Sequence, residues 1–326
     1  VILAGDIGGT KTVLAVFDEA GDRLNLVREE VYPSASAASL EELGIKFLET
    51  VGRPAVRAAC FGVAGAVVDG RAKATNLPWQ IDEAVLSSAL GITPVRLLND
   101  LEAAAYGVLV LPPESLHTLQ DGTPPKGGGT MALIAAGTGL GEAILPWDGQ
   151  VHRVMASEGG HVDFGPRNEL EAALWEYLRW EFGHVSWERV LSGPGFMNIY
   201  HFLRRHRKLV EPSWLTDEIK AGTPSAVVSQ AGLAGKDPVC AETVVLFISL
   251  YGAEAGNLAL KALAVGGLFV GGGIAPKMLS AFKVATFIDA FAAKGRMAPV
   301  LRNIPVHVVL DPRAPLLGAA SHARTL

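Results

Sequence analysis

The chain has 326 residues, 49% of them hydrophobic and 19% charged, with a formal net charge of −5. That length exceeds one ordinary compact core and suits two domains, and the composition excludes a disordered chain. A mildly acidic chain without a basic run excludes nucleic acid and membrane surfaces as expected partners.

In chain order, the first elements alternate as β-strands. The chain opens on the apolar run Val1 to Ile7 without a basic leader, so no signal peptide and a cytoplasmic location are expected. Val1 to Asp6, Lys11 to Asp18 and Arg23 to Tyr32 predict a three-strand meander, with turns at Gly8-Gly9 and at Glu19 to Asp22. Apolar residues at Leu40, Leu43, Phe47 and Leu48 predict a helix over 39–51. Strands are expected over 55–63 and 95–98, and helices over 82–90 and 101–111. This alternation argues for an α/β domain. Pro112-Pro113 and the segment 121–129 read as loop.

The opening pattern then returns. Strands are expected over 130–136, 140–145 and 150–156, with a Gly/Thr turn at 137–139, as in an internal duplication. Helices are expected over 169–182, 196–207 and 241–264. The most apolar stretch, 244–270, is interrupted by Glu254, Asn257 and Lys261 and reads as a buried helix followed by a strand. Arg204, Arg205, Arg207 and Lys208 fall where a solvated helix end is expected. Cys60 and Cys240 lack metal-ligand spacing and are expected as small buried hydrophobes. Val306 to Leu310 reads as a strand, and 314–323 as a closing helix on the first domain.

Six motifs carry chemistry. Gly5-Asp6-Ile7-Gly8-Gly9-Thr10-Lys11-Thr12 joins a tight turn to phosphate donors: its N–H groups and the hydroxyls of Thr10 and Thr12. Asp6 suits Mg²⁺ held through water. The plain alternative is a hairpin turn. Gly137-Thr138-Gly139 repeats this chemistry, and two such turns suit a polyphosphate clamp unlike a P-loop or a dinucleotide fingerprint. Asn99-Asp100 ends a strand and opens a helix. Asp100 is then either an N-cap or the general base for a sugar hydroxyl; with a reference pKa of ~3.9 it is ionised at neutral pH. Glu158 and His161 flank Gly159-Gly160 and suit sugar hydroxyls better than zinc. Glu188, before Ser192-Gly193-Pro194-Gly195, is a third sugar ligand or a helix-surface carboxylate. Gly271-Gly272-Gly273 after a strand lets an adenine ring approach the backbone.

Taken together, DIGGTKT, LLNDLEAAAYG, AAGTGLGEAIL, SEGGHVDFGP, ERVLSGPG and FVGGGIAP resemble, in this order, the bacterial ATP-dependent glucokinases of the hexokinase/actin-like superfamily. The resemblance runs from about Leu3 to Ala320. It implies an actin/hexokinase-like (ribonuclease H-like) two-domain α/β fold with an active-site cleft. The small domain would cover 1–110 plus 301–326, and the large one 111–300. It implies glucose held by Asn99, Asp100, Glu158, His161 and Glu188, with Asp100 as catalytic base. ATP-Mg would lie across residues 5–12, Gly137 to Gly139 and Gly271 to Gly273. Homodimers that close on sugar are common in the family. The run Thr75-Asn76-Leu77-Pro78-Trp79 also matches it, without a role for Asn76 or Trp79. A neighbouring family of repressors and kinases carries a Cys-rich zinc motif after the sugar-binding histidine; here no Cys follows His161 until Cys240. The motifs do not rank hexoses, so a kinase for mannose, fructose or an N-acetylhexosamine is the alternative. Behind it stand a non-enzymatic sugar-responsive regulator and an actin-type ATPase.

Overall fold

Alternating apolar residues pull the first thirty positions into an antiparallel meander. In the computed structural model every residue is described except Asp22, Thr75, Asn76 and the side chain of Arg23. The chain forms two compact units. The first comprises Val1–Leu116, Val154–Ala156 and Asp311–Leu326; the second comprises His117–Arg153 and Ser157–Leu310.

The first unit holds strands β1 (Ile2–Ile7), β2 (Lys11–Ala20), β3 (Arg23–Pro33) and β4 (Ala58–Val63), with helix α1 (Leu40–Thr50) before β4. The short strands β5 (Val67–Val68), β6 (Arg71–Lys73) and β7 (Gln80–Asp82) follow. After them come α2 (Glu83–Leu90), β8 (Val95–Asn99) and α3 (Asp100–Val108). The main sheet has the order β3-β2-β1-β4-β8. Strand β1 pairs antiparallel with β2 and parallel with β4, which pairs parallel with β8. Leu40, Leu43 and Phe47 of α1, with Leu86 and Leu90 of α2, cover one face against Leu3, Leu14 and Phe61. On the other face lie Leu316, Ala319 and Ala323 of the closing helix Ala314–Arg324, against Ile2, Ala4 and Ala103. Each large apolar side chain so buried contributes about 1.5–3 kcal/mol. Ser39 caps α1 by accepting from the N–H of Glu42, and Asp82 caps α2 by accepting from those of Ala84 and Val85.

The second unit opens on β9 (Leu116–Gln120), β10 (Met131–Ala136) and β11 (Leu140–Leu145); the short strand β12 (Met155–Ser157) follows, its first two residues belonging to the first unit. Helices α4 (Glu169–Phe182), α5 (Gly193–Arg207), α6 (Ser213–Ala221), α7 (Pro224–Leu233) and α8 (Pro238–Ala262) follow. Strand β13 (Gly267–Gly271) comes next. It is followed by α9 (Leu279–Phe282), α10 (Thr286–Ala292), α11 (Ala298–Arg302) and strand β14 (Val306–Val309). Strands β11-β10-β13-β14-β9 lie side by side in that order. Strand β10 is antiparallel to β11 and parallel to β13, which is parallel to β14. The first unit uses the same arrangement, so the duplication expected from sequence is visible in the topology. Helix α8 is long and apolar enough to cross a membrane, but 78% of that stretch is buried inside the protein. It is the central helix of the larger core, with Phe247, Leu250, Tyr251 and Leu258 packed among Ile134, Phe196 and Phe287.

Three expectations need correction. The third strand of the second meander, expected over 150–156, shrinks to β12. The carboxylate of Asp148 accepts the N–H groups of Gln150 and Val151, and this local turn competes with strand pairing. The return to the first unit starts at Asp311 rather than 301, because β14 pairs with β13 and buries Val306 and Val308 in the second core. The basic group is not simply solvated: Arg204 is 10% exposed with Asp237 at 2.7 Å, and Arg207 pairs with Glu242. Trp79 is a core residue, 2% exposed, whose indole N–H donates to Ala37 O; Asn76 lies outside the described residues. Cys60 and Cys240 are buried as expected, and burial pushes the Cys240 thiol up to about 12.

Candidate active site

In the first unit the chemistry gathers at the ends of β1 and β8. The turn after β1 closes through Gly8 N–H to Lys11 O at 3.0 Å. Ser34 supports it from outside: its hydroxyl donates to Gly8 O at 2.7 Å, and its N–H donates to Thr10 O at 2.9 Å. The Ser34 proton is thereby used, so the Thr12 hydroxyl, 3.0 Å away, donates to Ser34 Oγ. Thr12 is fully buried, so its side chain is a structural bond and not an open phosphate donor. Gly5 and Ile7 are likewise interior residues of β1, whereas Gly8, Gly9, Thr10 and Lys11 reach the surface.

Asn99 is the N-cap of α3, so Asp100 is not the capping residue. Its Oδ1 accepts from Leu101 N–H at 2.8 Å, and Glu102 Oε2 accepts from Asn99 N–H at 3.0 Å, a reciprocal capping box. Its Nδ2 donates to Gly65 O at 3.0 Å. Asp100 is the first helical residue, with Oδ1 accepting from Leu101 N–H at 2.9 Å. Asp6 and Asp100 share one electrostatic environment. Burial and the Asp100 charge push the Asp6 carboxyl up to about 6, against the pull of Lys11. Two nearby carboxylates, all oxygen donors, fit a hard divalent cation that keeps most of its waters.

In the second unit, the glycines of two parallel strand ends stand side by side. Gly137 N–H donates to Gly139 O, and Gly193 N–H to Gly137 O, both at 2.8 Å. At the end of β13, Gly272 has φ +80°, and a Cβ there would lie 2.3 Å from Ala136 O. Beside Gly137 and Gly273, by contrast, a Cβ would meet nothing within 4 Å, so backbone faces open space. Thr138 lies between these glycines and is exposed. The fully buried Tyr251 ties the fork together: its hydroxyl accepts from Ala136 N–H at 2.9 Å and lies 3.4 Å from both Ile134 O and Gly271 O.

Leu140 joins the remaining predicted residues to this turn. Its N–H donates to Glu188 Oε2 at 2.9 Å. Its carbonyl lies 2.1 Å from where a Cβ on Gly160 would sit, so only glycine lets that loop rest on β11. Glu158 and His161 flank this glycine pair, with exposed side chains 3.8 Å apart at the nearest oxygen and Nε2. The structure therefore brings Glu158, His161, Glu188, Gly137–Gly139 and Gly271–Gly273 together within one unit. Sequence reading missed Ser34 and Tyr251, whose partners are distant in the chain. Nearby, His184 Nε2 lies 2.8 Å from Asp163 Oδ1.

A family model described as Glucokinase matches residues 3–326. A glucokinase of Nostoc punctiforme is 42% identical, covering 100% of this chain and 99% of the relative. One from Chromobacterium violaceum is 37% identical, over 98% and 88%. Among solved structures, the glucokinase from an Antarctic psychrotroph superposes with a TM-score of 0.89 at 32% identity, covering 100% and 99%. A ROK family glucokinase from Streptomyces griseus, solved with glucose and AMPPNP, has a TM-score of 0.65 at 22% identity and shows the shared fold alone. With strand order, glycine turns and full-length matches in agreement, the chain belongs to the glucokinase family.

Proposed function

We propose that this chain transfers the γ-phosphoryl group of ATP to the 6-hydroxyl of glucose, giving glucose 6-phosphate and ADP, with Asp100 as general base. The observation that carries this reading is the division of labour at the head of α3. Asn99 takes the capping role, leaving Asp100 at the first helical position beside Asp6. Asp100 accepts the hydroxyl proton as the sugar oxygen attacks phosphorus. Asn99, Glu158, His161 and Glu188 bind and orient the sugar hydroxyls; Asn99 has one Nδ2 hydrogen, and Glu188 its second oxygen, for that purpose. Gly8 to Lys11, Gly137 to Gly139 and the open backbone at Gly273 receive the nucleotide. When bound, Mg²⁺ held by Asp6 through water neutralises phosphate charge. Product release into glycolysis, a cytoplasmic location and a homodimeric assembly complete the reading.

Asp100→Asn tests it. The amide keeps the oxygen that accepts from Leu101 N–H, so the helix start survives. Loss of the base should lower kcat by about 10²–10⁴-fold, with the far-UV circular dichroism unchanged. A coupled assay finding near-normal kcat would remove Asp100 from the role. The same assay with mannose, fructose and N-acetylhexosamines at equal concentration fixes the sugar.

A further inference from the structure

Strand β11 carries a carboxylate where its inward neighbours are apolar. Glu142, opposite Ile134 in the register with β10, is 1% exposed. Its Oε1 has no hydrogen-bond partner among the described residues. Its Oε2 lies directly beneath the sugar loop, 2.0 Å from where a Cβ on Gly159 would sit. The group facing Glu142 is a second buried carboxyl, Glu254 of α8. Glu254 already accepts from Asn257 Nδ2 at 2.7 Å and lies 3.3 Å from Lys261 Nζ. Beyond them, Lys294 Nζ, from the segment after α10, donates to Ala253 O and Asn257 Oδ1. The Arg167–Glu171 pair at the start of α4 closes the network, with Arg167 also bonded to Ser249. Glu158 and His161 lie at the surface above.

Two buried carboxyls face each other, and one carboxyl oxygen lacks a donor. A proton shared by the pair supplies it, whereas a cation there would meet the ammonium groups of Lys261 and Lys294. We infer that Glu142 is a positioning residue: the singly protonated Glu142–Glu254 pair is a wedge under Gly159 that holds the Glu158–His161 turn in its sugar-binding geometry. This rests on the reading of Glu158 and His161 as sugar ligands. Burial first, then the Glu254 charge, push Glu142 up to about 8, against Lys261. The sign follows. Below about 8 the proton is present; as pH rises through that value two carboxylates repel beneath Gly159, the turn shifts, and the KM for glucose rises. The wedge's contribution to stability is full below the unfolded glutamate value and is lost as pH climbs through about 8.

The experiment measures kcat and glucose KM from pH 6.5 to 9.5 for the wild type, Glu142→Gln and Glu254→Gln. The Gly159 amide resonance is followed in parallel in ¹⁵N-glycine-labelled protein. The wild-type KM should rise several-fold between pH 7 and 9 with a smaller change in kcat, and the Gly159 signal should titrate with it. In Glu142→Gln, which cannot ionise, the KM ratio and the signal should both be flat. Glu254→Gln removes the like charge and should move the alkaline limb, which keeps the test alive if the first variant misfolds. Burial and Arg167 bring Lys294 down to about 8, so Lys294→Arg is the control. The inference is overturned if the wild type is flat, if Glu142→Gln keeps the alkaline rise, or if only Lys294→Arg abolishes it. Failure of the underlying site reading shows separately: Glu158→Ala and His161→Ala would then leave glucose KM unchanged at pH 7, whatever the Gly159 signal does.

Discussion

The two glycine turns at the heads of the duplicated hairpins share a sequence pattern and differ in what holds them. The turn at Gly8-Gly9 is braced by Lys11 O across the hairpin and by the Ser34 hydroxyl at the end of the meander, twenty-six residues from Gly8. The turn at Gly137–Gly139 is braced by Glu188 and Gly193, about fifty residues away. In the first case support and ligand contact fall on different side chains. In the second, Glu188 is both prop and proposed sugar ligand, so a binding residue is built into the support of the nucleotide turn. Duplicated topology thus fixes where a turn stands but not which residues stiffen it.

The sharpest way to break the comparison is Glu188→Ala. It leaves the Leu140 N–H without its acceptor, at a cost of about 1–3 kcal/mol, and raises glucose KM, whereas Glu188→Gln keeps an acceptor oxygen and restores stability without restoring KM. Denaturant melts beside steady-state kinetics separate the two losses; equal destabilisation by both variants would show that the bond to Leu140 does not matter. Ser34→Ala should cost a comparable amount, about 1–3 kcal/mol, because it leaves the buried Thr12 hydroxyl without its acceptor although the hairpin bond from Gly8 N–H to Lys11 O remains. Its effect should fall on ATP KM through the loosened turn and leave glucose KM alone. Gly137→Ala should change stability least, since its Cβ would enter open space. Any rise in ATP KM then reports a clash with bound nucleotide, and an unchanged ATP KM would take Gly137 out of the contact surface.

These differences also mark what the sequence could tell. The hairpins were legible because alternation and Gly-Gly turns are local signals. The fully buried side chain of Thr12 was not, since β2 is covered on both faces and its burial shows no alternation. The strands β5 to β7 have two or three residues each, too few for any period to register. At the head of α3, Asn99 and Asp100 are both good capping residues, and only backbone geometry assigns the cap to the first. Glu158, His161 and Glu188 were named from composition and resemblance. That they meet at Leu140 depends on contacts across as many as forty-eight residues, which no local pattern carries.

Tyr251 sets a spacing that the backbone does not. The sheet and α8 are separate layers, and beside the glycines at the ends of β10 and β13 the phenol of Tyr251 crosses the gap between them. One phenol, rooted in the helix and ending at Ala136 N–H, acts as a gauge of fixed length. The elevation of the glycine fork above the helix is thereby encoded in the reach of a single ring, so a change in that height calls for a different residue type at position 251 and cannot be tuned by sliding either strand.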